Sequence, residues 1–353
     1  MATTPFSTSN GSSRSSRAEA IPAPTWLGAS GAMWLGIVFS AALTGLIWLL
    51  GDRLAAFPKL PDQGVLWYYW KLSDPTWVTR LSAWGLYLVH QIANFALIRK
   101  AQRAQLTYTS GLHSVNVQAL AVNGIFAVLH LIQTHIFYDG LAQDVSILSS
   151  QGSVIVLLVW VLMMENPRRG LFFGKRVPLH RDIIAWAKKY HGYFFSWAVV
   201  YTFWYHPMEA TQGHLIGVFY TFMLMLQGSL FFTRIHVNRW WMAVQEVLVL
   251  VHGTLVAVQQ GTGIWPMFFF GFATLFVVTQ MHGLGLSRLV KALLAAAFGI
   301  GIAVVYSQRG LAQLNEVIRI PLIDYLSVFV LAGLIGGGLW IARHTRRLLV
   351  RAG

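Results

Sequence analysis

Apolar residues come in long unbroken runs along this chain, near positions 30–50, 80–98, 115–137, 150–164, 190–205, 214–233, 240–259, 264–282, 289–306 and 322–342. At 1.5 Å of rise per residue, about 20 residues cross the hydrocarbon of a bilayer. The pattern predicts an all-α fold: a polytopic integral membrane helical bundle of about ten transmembrane helices, forming one domain over residues 26–343. Residues 1–25 are rich in Ser, Thr, Pro and Ala and read as a disordered cytoplasmic tail. Residues 344–353 read as a basic cytoplasmic tail. No short apolar stretch with a cleavage site follows Arg14 and Arg17 closely, so no signal peptide is expected. No internal repeat and no extramembrane domain stands out.

Charge sets the orientation. With the N-terminus inside, 20 of the 26 Lys and Arg fall on inner segments, among them Arg99, Lys100, Arg103, Arg168, Arg169, Lys188, Lys189, Arg234, Arg239 and Arg343. The positive-inside rule then places both termini in the cytoplasm. The expected location is a cell membrane, of the bacterial inner-membrane type. The segment from Gly51 to Thr79, with Trp67, Tyr68, Tyr69, Trp70 and Trp77, becomes the longest outer loop and an interfacial one. Glu165 to Lys189 becomes the longest inner loop.

Polar residues inside the runs mark inward faces. The third run carries Asn116, Asn123 and His130 at seven-residue steps, with Thr134 one turn on. The seventh carries Gln245, His252 and Gln259 at the same step. The second carries Tyr87, Gln91 and Asn94, the fifth His191, Thr202 and Tyr205, and the sixth His214, Thr221 and Gly228. The eighth ends in Thr279, Gln280 and His282. Runs two, three and five to eight are therefore expected to surround a polar interior, with runs one, four, nine and ten as buttresses. Gly333 and Gly337 in the tenth read as a close-packing pair. The competing reading of the stripes is hydrogen bonding between helices.

Composition narrows the chemistry. The chain of 353 residues is 56% hydrophobic and 11% charged, well below the roughly 25% charged of soluble domains. It has no Cys, which excludes disulfides, thiolate metal sites and thiol catalysis. The net charge of +14 sits where topology wants it, so no nucleic-acid partner is implied. No phosphate loop, dinucleotide fingerprint or nucleophile elbow is present. The partners expected are membrane lipids and a lipid-soluble substrate.

Twelve His residues carry what chemistry there is. By depth, His130, His135, His206, His214 and His252 fall toward the outer side, with Glu209 between two of them. Imidazole and carboxylate together suit a non-haem transition metal. These five are the candidate metal ligands, and Glu209 is a candidate base. Glu246 is the one carboxylate read as well inside the membrane, a second catalytic candidate, with Arg234, His236 or a polar group of another span as its partner. A haem b reading pairs inner His191 with His236 as cofactor ligands, and outer His206 with His252; a single haem between His130 and His252 is its equal alternative. Sixteen residues turn a helix by roughly 160°, so His236 and His252 point apart unless the helix is kinked or begins after His236. Three function classes follow: an oxidoreductase or lipid-modifying enzyme using the outer histidines with a metal or haem; a secondary transporter or channel; and a non-catalytic assembly or pigment-binding subunit.

Overall fold

The computed structural model describes residues 28–61 and 70–352. Ten α-helices account for most of them: α1 Ala29–Leu50, α2 Trp77–Arg103, α3 Ser114–Phe137, α4 Ile147–Arg169, α5 Arg181–Tyr205, α6 Gln212–Ser229, α7 Arg239–Gln259, α8 Trp265–Val278, α9 Arg288–Arg309 and α10 Glu316–Ala352. Each apolar run has its helix. The described residues form no β-strand beyond isolated bridges, Lys59 with Leu72 among them. The tail 1–25 and the aromatic residues Trp67, Tyr68 and Tyr69 lie outside the described residues.

Seven of the ten helices are long and apolar enough to cross a membrane, which makes this a multi-pass membrane protein. The other three are α5, α6 and α8. Helix α5 packs against α2, α4, α6 and α10, and α6 against α1, α3, α5 and α7. A helix covered by protein on most sides needs less apolar surface than one bathed in lipid. Helix α8 has 14 residues, about 21 Å, against a hydrocarbon thickness of about 30 Å.

The helices make two joined groups. Helices α2, α3, α6 and α5 pack as a closed four-helix set with α1 laid on α6. Helices α4, α5, α6, α7, α8 and α10 close a ring of six, with α9 touching α8 outside it. The buttress reading therefore holds for α1 and α9 and fails for α4 and α10, which are ring members. Outward faces are apolar: Val38, Leu49, Leu88, Ile125, Val251, Leu293 and Leu334 are all exposed.

Two further expectations change. Among the described residues Gly333 and Gly337 meet no neighbour within 4 Å of where a Cβ would sit, so the expected close packing is not seen there. The inner loop expected over 165–189 shortens to 170–180, because α4 runs on to Arg169 and α5 starts at Arg181. Gly170, with φ of +75°, ends α4; a Cβ there would lie 2.4 Å from the Gly174 carbonyl carbon.

Candidate functional site

The third-run stripe is buried, and its polar groups are spent on holding helices together. Asn116 donates to the carbonyls of Ser229 and Phe231 at 2.9 and 2.8 Å. Asn123 donates to Ser229 Oγ at 2.8 Å. His90 stands between them and α5: Trp204 Nε1 donates to its Nδ1 at 3.1 Å, which leaves Nε2 to donate to Asn123 Oδ1 at 2.8 Å. The hydrogen-bonding reading therefore holds for α3.

At the end of the bundle expected to be outer, His130, His206 and His214 do converge. His206 and His214 place their Nδ1 atoms 3.3 Å apart, with ring centres 5.0 Å apart. Trp70 packs on both rings, at 5.9 and 5.0 Å. Burial holds the His206 imidazole neutral, down to about 3, and the neighbouring His130 and His252 reinforce the shift. His130 reaches the group through a backbone atom: its Nε2 lies 2.9 Å from the His206 carbonyl and its Nδ1 lies 3.1 Å from Gln133 Oε1. Both of its ring nitrogens already lie against oxygen atoms, so neither faces open space where a metal could sit. His135 is occupied in the same way, by the carbonyls of Leu131 at 2.8 Å and Leu50 at 3.4 Å. His252 lies against α6, where a Cβ on Gly217 would come 2.7 Å from its Cε1. Among the described residues no three His, Asp or Glu side chains are grouped to hold a metal ion. The outer cluster therefore brings two imidazoles within reach of a common atom, and not the set of five.

Glu209 points elsewhere. It is buried, takes an ion pair from Lys59 Nζ at 2.6 Å, and accepts a hydrogen bond from Tyr138 Oη. Lys59 also sits 4.6 Å over the Tyr138 ring. Burial and the adjacent Glu209 charge push the Tyr138 phenol up. These contacts pin the outer connections together. Gly140 is pinned as well, since a Cβ there would lie 2.7 Å from the Tyr205 carbonyl oxygen and 3.0 Å from His206 Cα. Gly140→Ala is expected to cost about 1–3 kcal/mol by overpacking against backbone, read as a lower melting midpoint in detergent. Gly124→Ala, with open space around its Cβ, is the control and should melt no lower than the parent. Equal melting of the two variants would mean that the close approach at Gly140 is not made.

No family profile, no curated protein and no solved structure matches this chain.

The inner end holds a different pair. His191 of α5 and His236 are neighbours, with ring centres 6.2 Å apart and planes inclined by 37°. Helix α7 begins at Arg239, so His236 belongs to the preceding turn and the angular objection raised by a continuous helix is absent. Each ring donates its Nδ1–H to a backbone carbonyl, His191 to Lys188 at 2.6 Å and His236 to Gln227 at 2.9 Å. A carbonyl can only accept, so the proton is fixed on Nδ1 and each Nε2 keeps its lone pair. Burial, with the His191 charge as the lesser cause, holds His236 neutral down to about 4.

Inside the six-helix ring lies a polar group that the sequence reading caught only in part. Glu246 of α7 pairs with Arg169 of α4, whose Nη1 lies 2.8 Å from both carboxylate oxygens. Arg169 is thus neither Arg234 nor His236, the two named partners expected; it belongs to another span. It is 4% exposed, although it was read as an inner-loop cation. Its Nε and Nη2, both amide atoms of Gln245 and Asp324 Oδ2 are buried and make no hydrogen bond. Asp324, a lone acid in the apolar tenth run, was legible as an intramembrane carboxylate and was missed.

Proposed function

We propose that this chain is a membrane haem protein of the oxidoreductase class, in which His191 and His236 hold one haem b that exchanges electrons with a lipid-soluble partner such as a quinone. One observation carries the reading: two neighbouring imidazoles have both Nδ1 protons committed to carbonyls. Metal-bound histidines are oriented in this way, by a hydrogen bond from the second nitrogen. Metal–imidazole bonds of about 2.0–2.1 Å on either side of one iron would put the ring centres ~6 Å apart, which agrees with the spacing. Lys188, Arg234 and Arg239 stand near in sequence and suit the haem's carboxylates. Haem supplies one-electron chemistry whose potential follows its axial ligands and burial. The outer pair, His206 and His214, is the place where a proton or a second metal would be handled on the opposite face.

A reduced-minus-oxidised visible spectrum of the detergent-purified protein, with iron analysis, tests this. A b-type spectrum with about one iron per chain is expected. A colourless, iron-free protein that still holds its fold would sink it. Weight would then pass to the transporter reading, which the unpartnered Arg169, Gln245 and Asp324 atoms favour because a translocation path needs polar groups facing the bundle interior.

The proposal extends to topology: ten spans in a bacterial-type cell membrane, with both termini and the 170–180 loop cytoplasmic. The absence of native Cys makes single-cysteine labelling clean. A Cys at Gly174 should resist a membrane-impermeant reagent in intact cells and react in inverted vesicles. Labelling from outside would reverse the orientation.

A further inference from the structure

Between the inner ends of α2 and α5 lies a groove of about 1100 Å³ whose mouth carries Arg99, Lys100, Arg103 and Lys189. No acidic residue lines it. Among the described residues the inner-side carboxylates are already taken: Glu165 pairs with Arg168, Asp182 with Arg343 and Glu246 with Arg169. Among the described residues none of the four mouth cations is in an ion pair; Lys100 meets only the neutral Gln118 amide, at 3.0 Å. Four uncompensated cations on two adjacent helix ends repel one another, and an anion brought among them removes that cost.

The groove does not stop at the charges. Phe95 and Tyr193, in ring contact at 5.3 Å, line it and also line a second, apolar groove of about 620 Å³ that continues between α4, α5 and α10. Phe95 is one turn from Arg99 and Tyr193 one turn from Lys189, so cationic mouth and apolar trough are about 6 Å apart along each helix. Val159, Trp197 and Leu331 line the trough. Gln102 braces the junction, donating to the Lys189 carbonyl at 2.7 Å while accepting from Tyr193 Oη at 3.1 Å.

We propose that this continuous groove is a binding site for an anionic lipid, with a phosphate headgroup among Arg99, Lys100, Arg103 and Lys189 and an apolar chain in the trough beside Trp197 and Leu331. Basic pockets between transmembrane helices on the cytoplasmic side recognise anionic headgroups in this way. A free phosphate shares the headgroup chemistry but leaves the trough unused. The proposal does not rest on haem.

Crosslinking tests it on the full chain, in nanodiscs of phosphatidylcholine doped with phosphatidylglycerol bearing a photoreactive group on its acyl chain. Crosslinks should concentrate on the α4 and α10 segments that line the trough. The triple variant Arg99→Gln, Arg103→Gln, Lys189→Gln should lower them roughly a hundredfold, since each cation near the surface counts for about a fivefold change. Arg288→Gln with Lys291→Gln, two inner cations away from the groove, should leave them unchanged and controls for loss of bulk charge. Inorganic phosphate should compete weakly. Three outcomes would overturn the proposal: crosslinks spread over all lipid-facing helices, with α9 as prominent as α10; a triple variant that folds and crosslinks like the parent; or full displacement by inorganic phosphate, which would make this a soluble-anion site.

Discussion

Arg169→Met is expected to destabilise the protein by about 3–5 kcal/mol, because it leaves the Glu246 carboxylate buried without its counter-charge. The pair joins α4 to α7 across the six-helix ring, and its side chains are 3% and 10% exposed. Removing one charge costs far more than the pair itself contributes, since the survivor keeps its desolvation penalty. The same logic predicts rescue: adding Glu246→Gln to Arg169→Met should recover much of the loss. Melting midpoints in detergent for the two singles and the double give the full cycle. An Arg169→Met protein that melts like the parent would show that Glu246 is not held there as a buried anion.

His191→Ala and His236→Ala are each expected to abolish bound haem. His252→Ala should retain it, since His252 belongs to the α6–α7 contact at Gly217. Simple loss cannot tell a ligand from a residue the fold needs, so the decisive variant is His236→Met. Methionine can serve as an axial ligand and raises the potential relative to histidine. A purely structural His236 would give no such signature. Retained haem with a higher midpoint potential would identify His236 as a ligand. Haem retained at an unchanged potential in His236→Ala would remove it from the site.

The positions of the helices were legible because lipid demands apolar side chains over whole runs, and such runs survive any packing arrangement. Ring membership was not. Helix α10 carries Asp324, Tyr325 and Ser327 within four positions and no polar repeat beyond them, so there is no period to read. Arg169 misled for a related reason. Counted by sequence position it is one more inner cation, yet its length lets the guanidinium turn back into the bundle toward Glu246. Periodicity placed Asn116, Asn123 and His130 on a buried face, but it could not say that Ser229 and the His206 carbonyl would consume their hydrogen bonds. The His191–His236 juxtaposition was readable from spacing on one condition, a helix start after His236. The Asn238 side chain meets that condition by capping α7, accepting from Trp240 N and Trp241 N at 2.9 and 3.2 Å.

Helix α9 has one buried residue, Tyr306, fixed near its outer end by Phe270 and by Glu316, which also holds Arg309. Its inner half shows Leu289, Val290 and Leu293 to the surroundings. Phe298, Ile302 and Val305 pack beside Tyr306 on Phe270 and Val317, so protein holds one half of α9 and leaves the other to the acyl chains. Where the bilayer is thinner than its apolar length, a helix relieves the mismatch by tilting. With α9 held from Phe298 to Tyr306, such a tilt would fall mainly on the half that starts at Arg288 and would spare the six-helix ring. Membrane thickness is thereby written into the angle of a single helix, at a cost of fractions of a kcal/mol per ångström.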